Sequence, residues 1–377
     1  MNSFIYVTHF TPRMIAFVFV GLSFMSALCS GTEFPTVFVF GDSLLDPGNN
    51  DYIITLSRAN HPPNGIDFPN QVPTGRFTNG RTIVDIIGNE VGFTGFLPPY
   101  LAPNTTGRVV LQGVNYASGA SGILKETGAL FGGRIELDEQ IDYFANTKKY
   151  IISILGTQNA ANLIGKAIFT VSMGSNDFLN NYLIPILSEP KRALIPPDVF
   201  VDKLISKYSL QLTRLYSMGA HKIVVVNVGP IGCIPYVKDI LNLGRYGCLE
   251  IANQIVQRFN ERLKDLVAEL STNLKGSLFV YADAYRIVND IYTNYKRYGF
   301  DVPDAACCYL LGHHGGILPC GPGPVKVCAD RSKYIFWDAY HPSEAANVII
   351  TGPFGSLRNL RNLWKLQFLG INLLGSV

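Results

Sequence analysis

The sequence predicts a three-layer α/β fold in which helices cover both faces of a parallel sheet. Two observations lead to this prediction: short apolar runs recur along the chain, and longer amphipathic stretches separate them. Parallel strands buried on both faces are continuous apolar runs, and strands alternating with helices are typical of this fold class. The predicted strands are residues 36–40, 113–116, 167–173, 222–228 and 277–282.

β-Branched and aromatic residues identify these strands, and glycine or other small residues mark where they end. The first run, Thr-Val-Phe-Val-Phe, ends at Gly41, small residues at 117–122 follow the second, and the third ends at Gly174. The fourth run reads Lys-Ile-Val-Val-Val-Asn-Val. Residues 200–218 and 249–270 carry apolar side chains at helical spacing, which predicts two amphipathic helices between strands.

Candidate functional residues follow three of the predicted strands. Ser43 comes just after the first strand, Gly119 lies in the small-residue run after the second, and Asn176 follows the third. Ligands of open α/β sheets bind outside the carboxyl ends of the strands. We therefore expect these three residues to converge on one edge of the sheet.

Composition and charge exclude several classes of protein. The chain has 377 residues, of which 47% are hydrophobic and 16% are charged, so it can bury a large core. Its net charge of +3 is too small to indicate binding to nucleic acid or to an anionic membrane surface. There is no interdomain linker, and we predict one catalytic domain over residues 31–352.

The first 30 residues read as a secretory signal peptide. An uncharged apolar run at 14–28 follows Arg13, and small residues place the cleavage at about Cys29 to Gly31. The alternative is a membrane anchor, but the run is shorter than the roughly 20 apolar residues that span a bilayer. The sequence therefore predicts a secreted protein with no stable membrane span.

The cysteines agree with secretion. An even number remains after the signal, which indicates disulfides rather than zinc, because their spacing does not match paired zinc ligands. Six cysteines allow 15 pairings. We predict one local bridge between Cys233 and Cys248, with the other four paired among themselves. Those four are Cys307, Cys308, Cys320 and Cys328. Asn104, in an Asn-Thr-Thr sequence, is a candidate N-glycosylation site.

Widely separated residues supply the inventory of a serine hydrolase. Ser43 is a candidate nucleophile, His341 its base, and Asp338 the carboxylate that fixes the histidine tautomer. Acyl transfer also needs donors aimed at the developing oxyanion. The candidate donors are the Ser43 N–H, an N–H in the Gly119-Ala120 turn, and the Asn176 side-chain amide.

Each of these residues also has a structural interpretation. Ser43 can be a turn or helix-capping serine, Asn176 can belong to a turn, and His341 can end a loop before a helix capped by Ser343. Their coincidence in one chain favours catalysis. The sequence has no Gly-x-Ser-x-Gly elbow, phosphate-binding loop or zinc-protease motif, and no ligand set surrounds the His313-His314 pair. We therefore expect no metal and no cofactor.

Taken together, these motifs closely resemble the plant GDSL-type esterase/lipase family of the SGNH hydrolases. The resemblance extends from about residue 36 to about residue 350. Its segments are FGDSLLDPGNN (40–50), PTGRFTNGR (73–81), GVNYASG (113–119), GSND (174–177), NVGPIGCIP (227–235) and WDAYHP (337–342).

The resemblance implies a flavodoxin-like fold with a five-stranded parallel sheet and a secreted enzyme that hydrolyses carboxylic esters without a cofactor. It also implies a triad of Ser43, Asp338 and His341, and an oxyanion hole that includes Asn176. Two features depart from the family pattern. Ala120 stands where the family often has the glycine oxyanion donor, with Gly119 just before it, and residues 353–377 form an atypical tail.

We therefore predict a secreted serine esterase or lipase of the cell wall or apoplast, acting on a small-molecule or lipid ester. Two alternatives use the same fold. One is a cell-wall polysaccharide deacetylase or acyltransferase with the same site, and the other is a secreted binding protein with impaired activity. The sequence does not indicate the acyl group or the oligomeric state.

Overall fold

A five-stranded parallel sheet forms the centre of the structure, a computed structural model that describes residues 36–90, 92–183, 195–241, 247–318 and 320–355. Its strands lie in the spatial order β2-β1-β3-β4-β5, and every neighbouring pair is parallel. This arrangement confirms the predicted α/β/α fold class. The strands are β1 (Val37–Gly41), β2 (Gly113–Asn115), β3 (Ile168–Ser172), β4 (Lys222–Val226) and β5 (Leu278–Ala282).

Helices and short strands of the described residues surround this sheet. The helices are α1 (Ile83–Glu90), α2 (Leu137–Leu155), α3 (Thr157–Lys166), α4 (Ser175–Asp177, continued by a π-turn at Phe178–Tyr182), α5 (Pro197–Ser217), α6 (Pro235–Ile240), α7 (Glu250–Asn273), α8 (Ala284–Thr293) and α9 (Glu344–Gly355). Short 3₁₀ turns lie at Asn49–Tyr52, Pro69–Gln71, Gly107–Leu111, Ala129–Phe131, Ile231–Cys233, Tyr295–Tyr298 and Arg331–Lys333. Two small sheets pair β6 (Val302–Ala306) with β9 (Tyr334–Phe336) and β7 (Cys308–Tyr309) with β8 (Lys326–Val327).

The side chains of β1 alternate between two apolar cores, one on each face of the sheet. Phe38 and Phe40 point to the α2 side, where their rings lie 5.0 and 6.1 Å from the ring of Phe144. Val39 packs on the opposite side with Leu45 and Leu97, beside α1. Because both faces are covered, both sets of alternating positions are apolar, and the strand reads as one continuous apolar run.

The predicted elements agree with the observed ones to within a few residues at their ends. The helices predicted at 200–218 and 249–270 correspond to α5 and α7. The strand predicted to reach 228 ends at Val226, and the next side chain, Asn227, donates hydrogen bonds to Tyr281 and Asp283. The small strands β6 to β9 were not predicted, because they are short and belong to a loop-rich segment.

Part of the sequence prediction lies outside the described residues. The signal peptide at 1–30 and residues 356–377 of the tail are among them, so the domain bounds of 31–352 stay a prediction. Helix α9 ends at Gly355. Its start is capped by Ser343, whose hydroxyl accepts a hydrogen bond from the Ala346 N–H. In the described part of the chain, none of the helices is long and apolar enough to span a membrane.

Three disulfides are present in the structure. They join Cys233 to Cys248, Cys307 to Cys328, and Cys308 to Cys320, which agrees with one local bridge and two bridges within the later cluster. The later cluster packs around the fully buried Trp337. The backbone of this cluster is also hydrogen-bonded to the Trp337 segment, since the Cys308 N–H donates to the carbonyl of Trp337. The bridges therefore support the segment that leads directly into Asp338.

Candidate active site

Ser43, His341 and Asp338 lie together at the carboxyl end of β1. The Oγ atom of Ser43 is 2.8 Å from Nε2 of His341. On the other side of the imidazole, Nδ1 is 2.8 Å from one carboxylate oxygen of Asp338 and 2.9 Å from the other. The structure thus brings a hydroxyl, an imidazole and a carboxylate into one hydrogen-bonded row, in the order that nucleophilic catalysis requires.

The Asp338 carboxylate determines which nitrogen of His341 carries a proton. An ionised carboxylate only accepts hydrogen bonds, so Nδ1 holds the hydrogen and Nε2 is left as an acceptor. Nε2 can then accept the hydrogen bond that the Ser43 hydroxyl donates. The ring of Phe77 packs against the imidazole, with centroids 5.1 Å apart, and limits its rotation.

A short loop presents Asp338 and His341 together. The Oδ1 atom of Asp338 accepts the backbone N–H groups of Tyr340 and His341, at 2.9 and 2.8 Å. The Trp337 N–H donates to the carbonyl of His341, and the ring of Tyr340 stacks on that of Tyr236 at 4.5 Å. The three-residue spacing seen in the sequence is therefore a closed turn in which one carboxylate orients both the backbone and the base.

Asn176 is held from both sides at the start of α4. Its amide nitrogen donates to the carbonyl of Ser121 at 2.9 Å, and its oxygen accepts from the side chain of Asn180 at 2.6 Å. The hydroxyl of Ser121 in turn donates to the carbonyl of Gly41, two residues before Ser43. An amide nitrogen carries two hydrogens. The second hydrogen of Asn176 has no acceptor among the described residues.

The structure distinguishes the two backbone N–H groups of the predicted donor turn, those of Gly119 and Ala120. The Gly119 N–H donates to the carboxylate of Asp46 at 2.9 Å, so it is not available to an oxyanion. The Ala120 N–H and the Ser43 N–H donate to no described residue. Ala120 has a φ of +66°, a left-handed conformation that costs a residue with a Cβ about 1 kcal/mol. The turn therefore tolerates the Cβ, and of these two N–H groups that of Ala120 is the one without an acceptor among the described residues.

Three buried aspartates accept backbone N–H groups in the loops of the site, and two of them, Asp46 and Asp177, join one loop to another. Burial raises the pKa of Asp46 to about 7 and the pKa values of Asp42 and Asp177 to about 6, while backbone N–H donors act in the opposite direction. Asp177 accepts the N–H groups of Ile123 and Leu124. These carboxylates face backbone donors rather than Ser43, which favours a role in loop structure.

Several residues that shape the site were given no role by the sequence analysis. Gln140 on α2 is fully buried, and its amide accepts the N–H of Gly41 at 3.0 Å and donates to the Gly41 carbonyl at 2.9 Å. The sequence signal for Gln140 was a polar side chain at a position where the helix is otherwise apolar. Asp46, Asn50 and Asp177 stood inside recognised motifs, but their contacts with the loop at 118–127 join residues distant in sequence, and no local pattern reveals them.

A second aspartate–histidine pair lies outside this site. Nδ1 of His314 is 2.8 Å from Asp239, whose carboxylate also accepts the Gly316 N–H. The pair joins the loop between Cys308 and Cys320 to α6. The described residues contain no group of three or more histidine, cysteine or acidic side chains that could hold a metal. Asn104, the candidate glycosylation site, is exposed in a turn.

The sequence matches one protein-family model and several plant proteins. The family model described as GDSL-like Lipase/Acylhydrolase matches residues 37–352. The chain is 56% identical over 334 residues to GDSL esterase/lipase At4g16230 of Arabidopsis thaliana, covering 88% of this chain and 90% of that protein. It is 51% identical over 347 residues to GDSL esterase/lipase At3g50400 of the same plant, covering 90% and 92%. The span of the family model therefore includes every residue of the candidate site.

Proposed function

Because this chain belongs to the GDSL-like lipase/acylhydrolase family and is an ester-hydrolysing enzyme, we propose that Ser43, His341 and Asp338 form its catalytic triad. The observation that carries the proposal is the row of hydrogen bonds from Ser43 Oγ through His341 to Asp338. The reaction is hydrolysis of a carboxylic ester through an acyl-enzyme. The substrate class is an ester of a lipid-like acyl chain.

In the proposed mechanism, His341 Nε2 takes the hydroxyl proton as Ser43 Oγ attacks the ester carbonyl carbon. The tetrahedral intermediate collapses, the alkoxy group leaves with the proton from His341, and the acyl group stays on Ser43. Water then attacks the acyl-enzyme with His341 again as base, which releases the carboxylic acid and restores the serine. Asp338 stabilises the imidazolium in both halves of the reaction.

Three donors would stabilise the oxyanion in this mechanism. They are the N–H groups of Ser43 and Ala120 and the remaining amide hydrogen of Asn176. Each such donor lowers the barrier by roughly 3 kcal/mol when it is aimed at the developing charge. These hydrogens have no acceptor among the described residues, which supports the assignment. A buried donor without a partner destabilises the fold unless a ligand accepts its hydrogen bond.

We also propose that the enzyme is secreted to the cell wall or apoplast. The apolar segment at 14–28 supports this location, as does the presence of three disulfides, which persist in oxidising compartments. The exposed position of Asn104 is compatible with a glycan. The proposed mature protein begins at about residue 31.

The experiment that tests the function combines hydrolysis with covalent labelling. The purified chain, expressed through a secretory pathway, is assayed on p-nitrophenyl esters of short and medium acyl chains and treated with a fluorophosphonate. We expect release of p-nitrophenol and a single label on Ser43, located by peptide mass spectrometry. Folded protein without label or turnover would favour the binding protein. Release of acetate from acetylated cell-wall glycan without cleavage of lipid esters would favour the deacetylase.

Replacing Asn176 by alanine should lower kcat about a hundredfold and change KM little, since the oxyanion contact strengthens in the transition state. Steady-state kinetics on one p-nitrophenyl ester measure both constants. Asn180→Ala, which removes only the partner of the Asn176 oxygen, serves as a graded control with a smaller fall in kcat. An increase in KM alone after Asn176→Ala would contradict the oxyanion role.

Removing the bridge between Cys307 and Cys328 should reduce stability by about 3 kcal/mol, because it closes a loop of about twenty residues. We expect activity to fall as well at temperatures below unfolding, because this bridge packs on Trp337, next to Asp338. Urea unfolding and kcat of the double serine variant measure the two effects. Serine variants at Cys233 and Cys248 are the control and should lose stability with a smaller change in kcat.

A further inference from the structure

The two peptide groups on either side of the Gly119 Cα are each held by a buried side chain that follows the nucleophile in sequence. Asn50 donates from its amide nitrogen to the Gly119 carbonyl at 3.1 Å. Asp46 accepts the N–H of the preceding peptide, that of Gly119, at 2.9 Å. Both side chains are almost completely buried, at 1% and 0% exposure. Two residues of the segment that carries Ser43 therefore hold the consecutive peptides 118–119 and 119–120, the second through its carbonyl.

The contact with Asn50 fixes the direction of the Ala120 N–H. In a planar trans peptide the carbonyl and the N–H point in opposite directions. Holding the Gly119 oxygen against Asn50 therefore turns the Ala120 hydrogen away from Asn50, and no described residue accepts it there. A hydrogen bond to the carbonyl also polarises the peptide, which makes its N–H a stronger donor.

Alanine at position 120 gives this contact a particular importance. A flip of the 119–120 peptide would change the φ of Ala120 from +66° to a negative value, which alanine prefers. The flip would also reverse the N–H and remove the oxyanion donor. Glycine has no such preference between positive and negative φ. The chain thus places a residue that favours the flipped peptide at the position where the flip is most harmful.

We propose that Asn50 is a positioning residue for catalysis, which prevents the 119–120 peptide from flipping and keeps the Ala120 N–H directed at the oxyanion. Asp46 assists by holding the Gly119 N–H. The proposal rests on the proposed function, since it assigns Asn50 to the same site. Asn50 itself does not touch the substrate.

Asn49 offers a closely matched control. It is the neighbouring residue, equally buried, and its amide nitrogen also donates to two backbone carbonyls, those of Asn115 and Ala117. Its oxygen accepts the Leu101 N–H. It makes no described contact with the 119–120 peptide. Asn49→Asp and Asn50→Asp therefore remove the same kind of donor from the same region, and only the second releases the peptide.

The test measures kcat and KM on a p-nitrophenyl ester for both variants at a matched folded fraction. Asn50→Asp should lower kcat about tenfold to a hundredfold with KM changed less than about threefold, because part of one oxyanion donor is lost. Asn49→Asp should leave kcat of the folded fraction within about threefold of the parent. Equal losses of kcat in the two variants would overturn the proposal.

Rescue by glycine separates positioning from general stability. Asn50→Asp is repeated in an Ala120→Gly background, where the flipped peptide is no longer preferred. The fold-loss of kcat caused by Asn50→Asp should shrink at least about fivefold in that background. An unchanged fold-loss in both backgrounds would contradict the role of peptide orientation, whereas a merely structural asparagine would show no such coupling.

A further variant keeps the proposal testable if Asn50→Asp does not fold. Ser118→Ala removes the hydroxyl that donates to the Asn50 oxygen at 2.5 Å and should loosen Asn50, with a smaller fall in kcat that Ala120→Gly again reduces. A fall that Ala120→Gly leaves unchanged would count against the proposal.

Ser43→Ala distinguishes failure of the proposed function from failure of the role of Asn50. If Ser43→Ala stays active, the proposed function fails. If it is inactive while Asn50→Asp keeps full kcat, only the role of Asn50 fails.

Discussion

Replacement of Ser43 by alanine is expected to lower kcat by about 10⁶-fold, and His341→Ala should leave nearly the same residual rate. In the proposed mechanism the hydroxyl and the imidazole act as one unit, because the proton passes across the 2.8 Å contact between Ser43 Oγ and His341 Nε2. Removing either partner therefore removes the whole nucleophilic route. The residual rate comes from the oxyanion donors and from substrate binding, which both variants retain.

The measurement is kcat on a p-nitrophenyl ester at saturating concentration, together with labelling by a fluorophosphonate. The double variant should be no slower than either single variant, and Ser43→Ala should take up no label. Ser217→Ala, an exposed serine at the end of α5, is the control and should behave as the parent enzyme. Retention of more than about 1% of kcat by Ser43→Ala would contradict the assignment of the nucleophile.

Replacement of Asp338 by asparagine should lower kcat by about 10⁴-fold, less than either of the preceding variants. The asparagine oxygen can still accept the N–H groups of Tyr340 and His341, so the loop keeps its shape. Its NH₂ group then faces His341 Nδ1 and donates to it. This moves the imidazole hydrogen to Nε2, which can no longer accept the proton of Ser43.

The matched comparison is Asp338→Ala, which removes the loop contacts as well as the charge. Asp338→Asn should unfold in urea near the midpoint of the parent, whereas Asp338→Ala should unfold at lower urea, because two backbone donors of a buried turn lose their acceptor. Both variants should have low kcat. If Asp338→Asn kept more than about a tenth of kcat, Asp338 would not control the tautomer of His341.

Much of the fold could be predicted from local patterns. β1 is a continuous apolar run because both faces of the sheet are covered there, and the run itself can be read from consecutive residues. The five predicted strands are the five of the central sheet. The strands of the two small sheets escaped prediction, because segments as short as Cys308–Tyr309 owe their conformation to pairing and disulfides rather than to a pattern of their own.

The candidate site could be predicted in its residue types but not in all its contacts. Ser43, Asn176, Asp338 and His341 were identified as candidates from sequence, and in the structure His341 lies between Ser43 and Asp338. The choice between Gly119 and Ala120 could not be made from sequence. It depends on the N–H of Gly119, which donates to Asp46, a residue more than seventy positions away.

By itself, the sequence determined the fold class and the family and named candidate residues for ester hydrolysis, because apolar periodicity and short motifs are properties of neighbouring residues. Only the tertiary structure decided how the four later cysteines pair and which N–H of the 119–120 turn has no acceptor among the described residues. It also decided that Gln140 donates to the Gly41 carbonyl and Asn50 to the Gly119 carbonyl. These are choices among partners distant along the chain. Each depends on which groups lie within bonding distance of each other, and packing of the whole domain determines those distances.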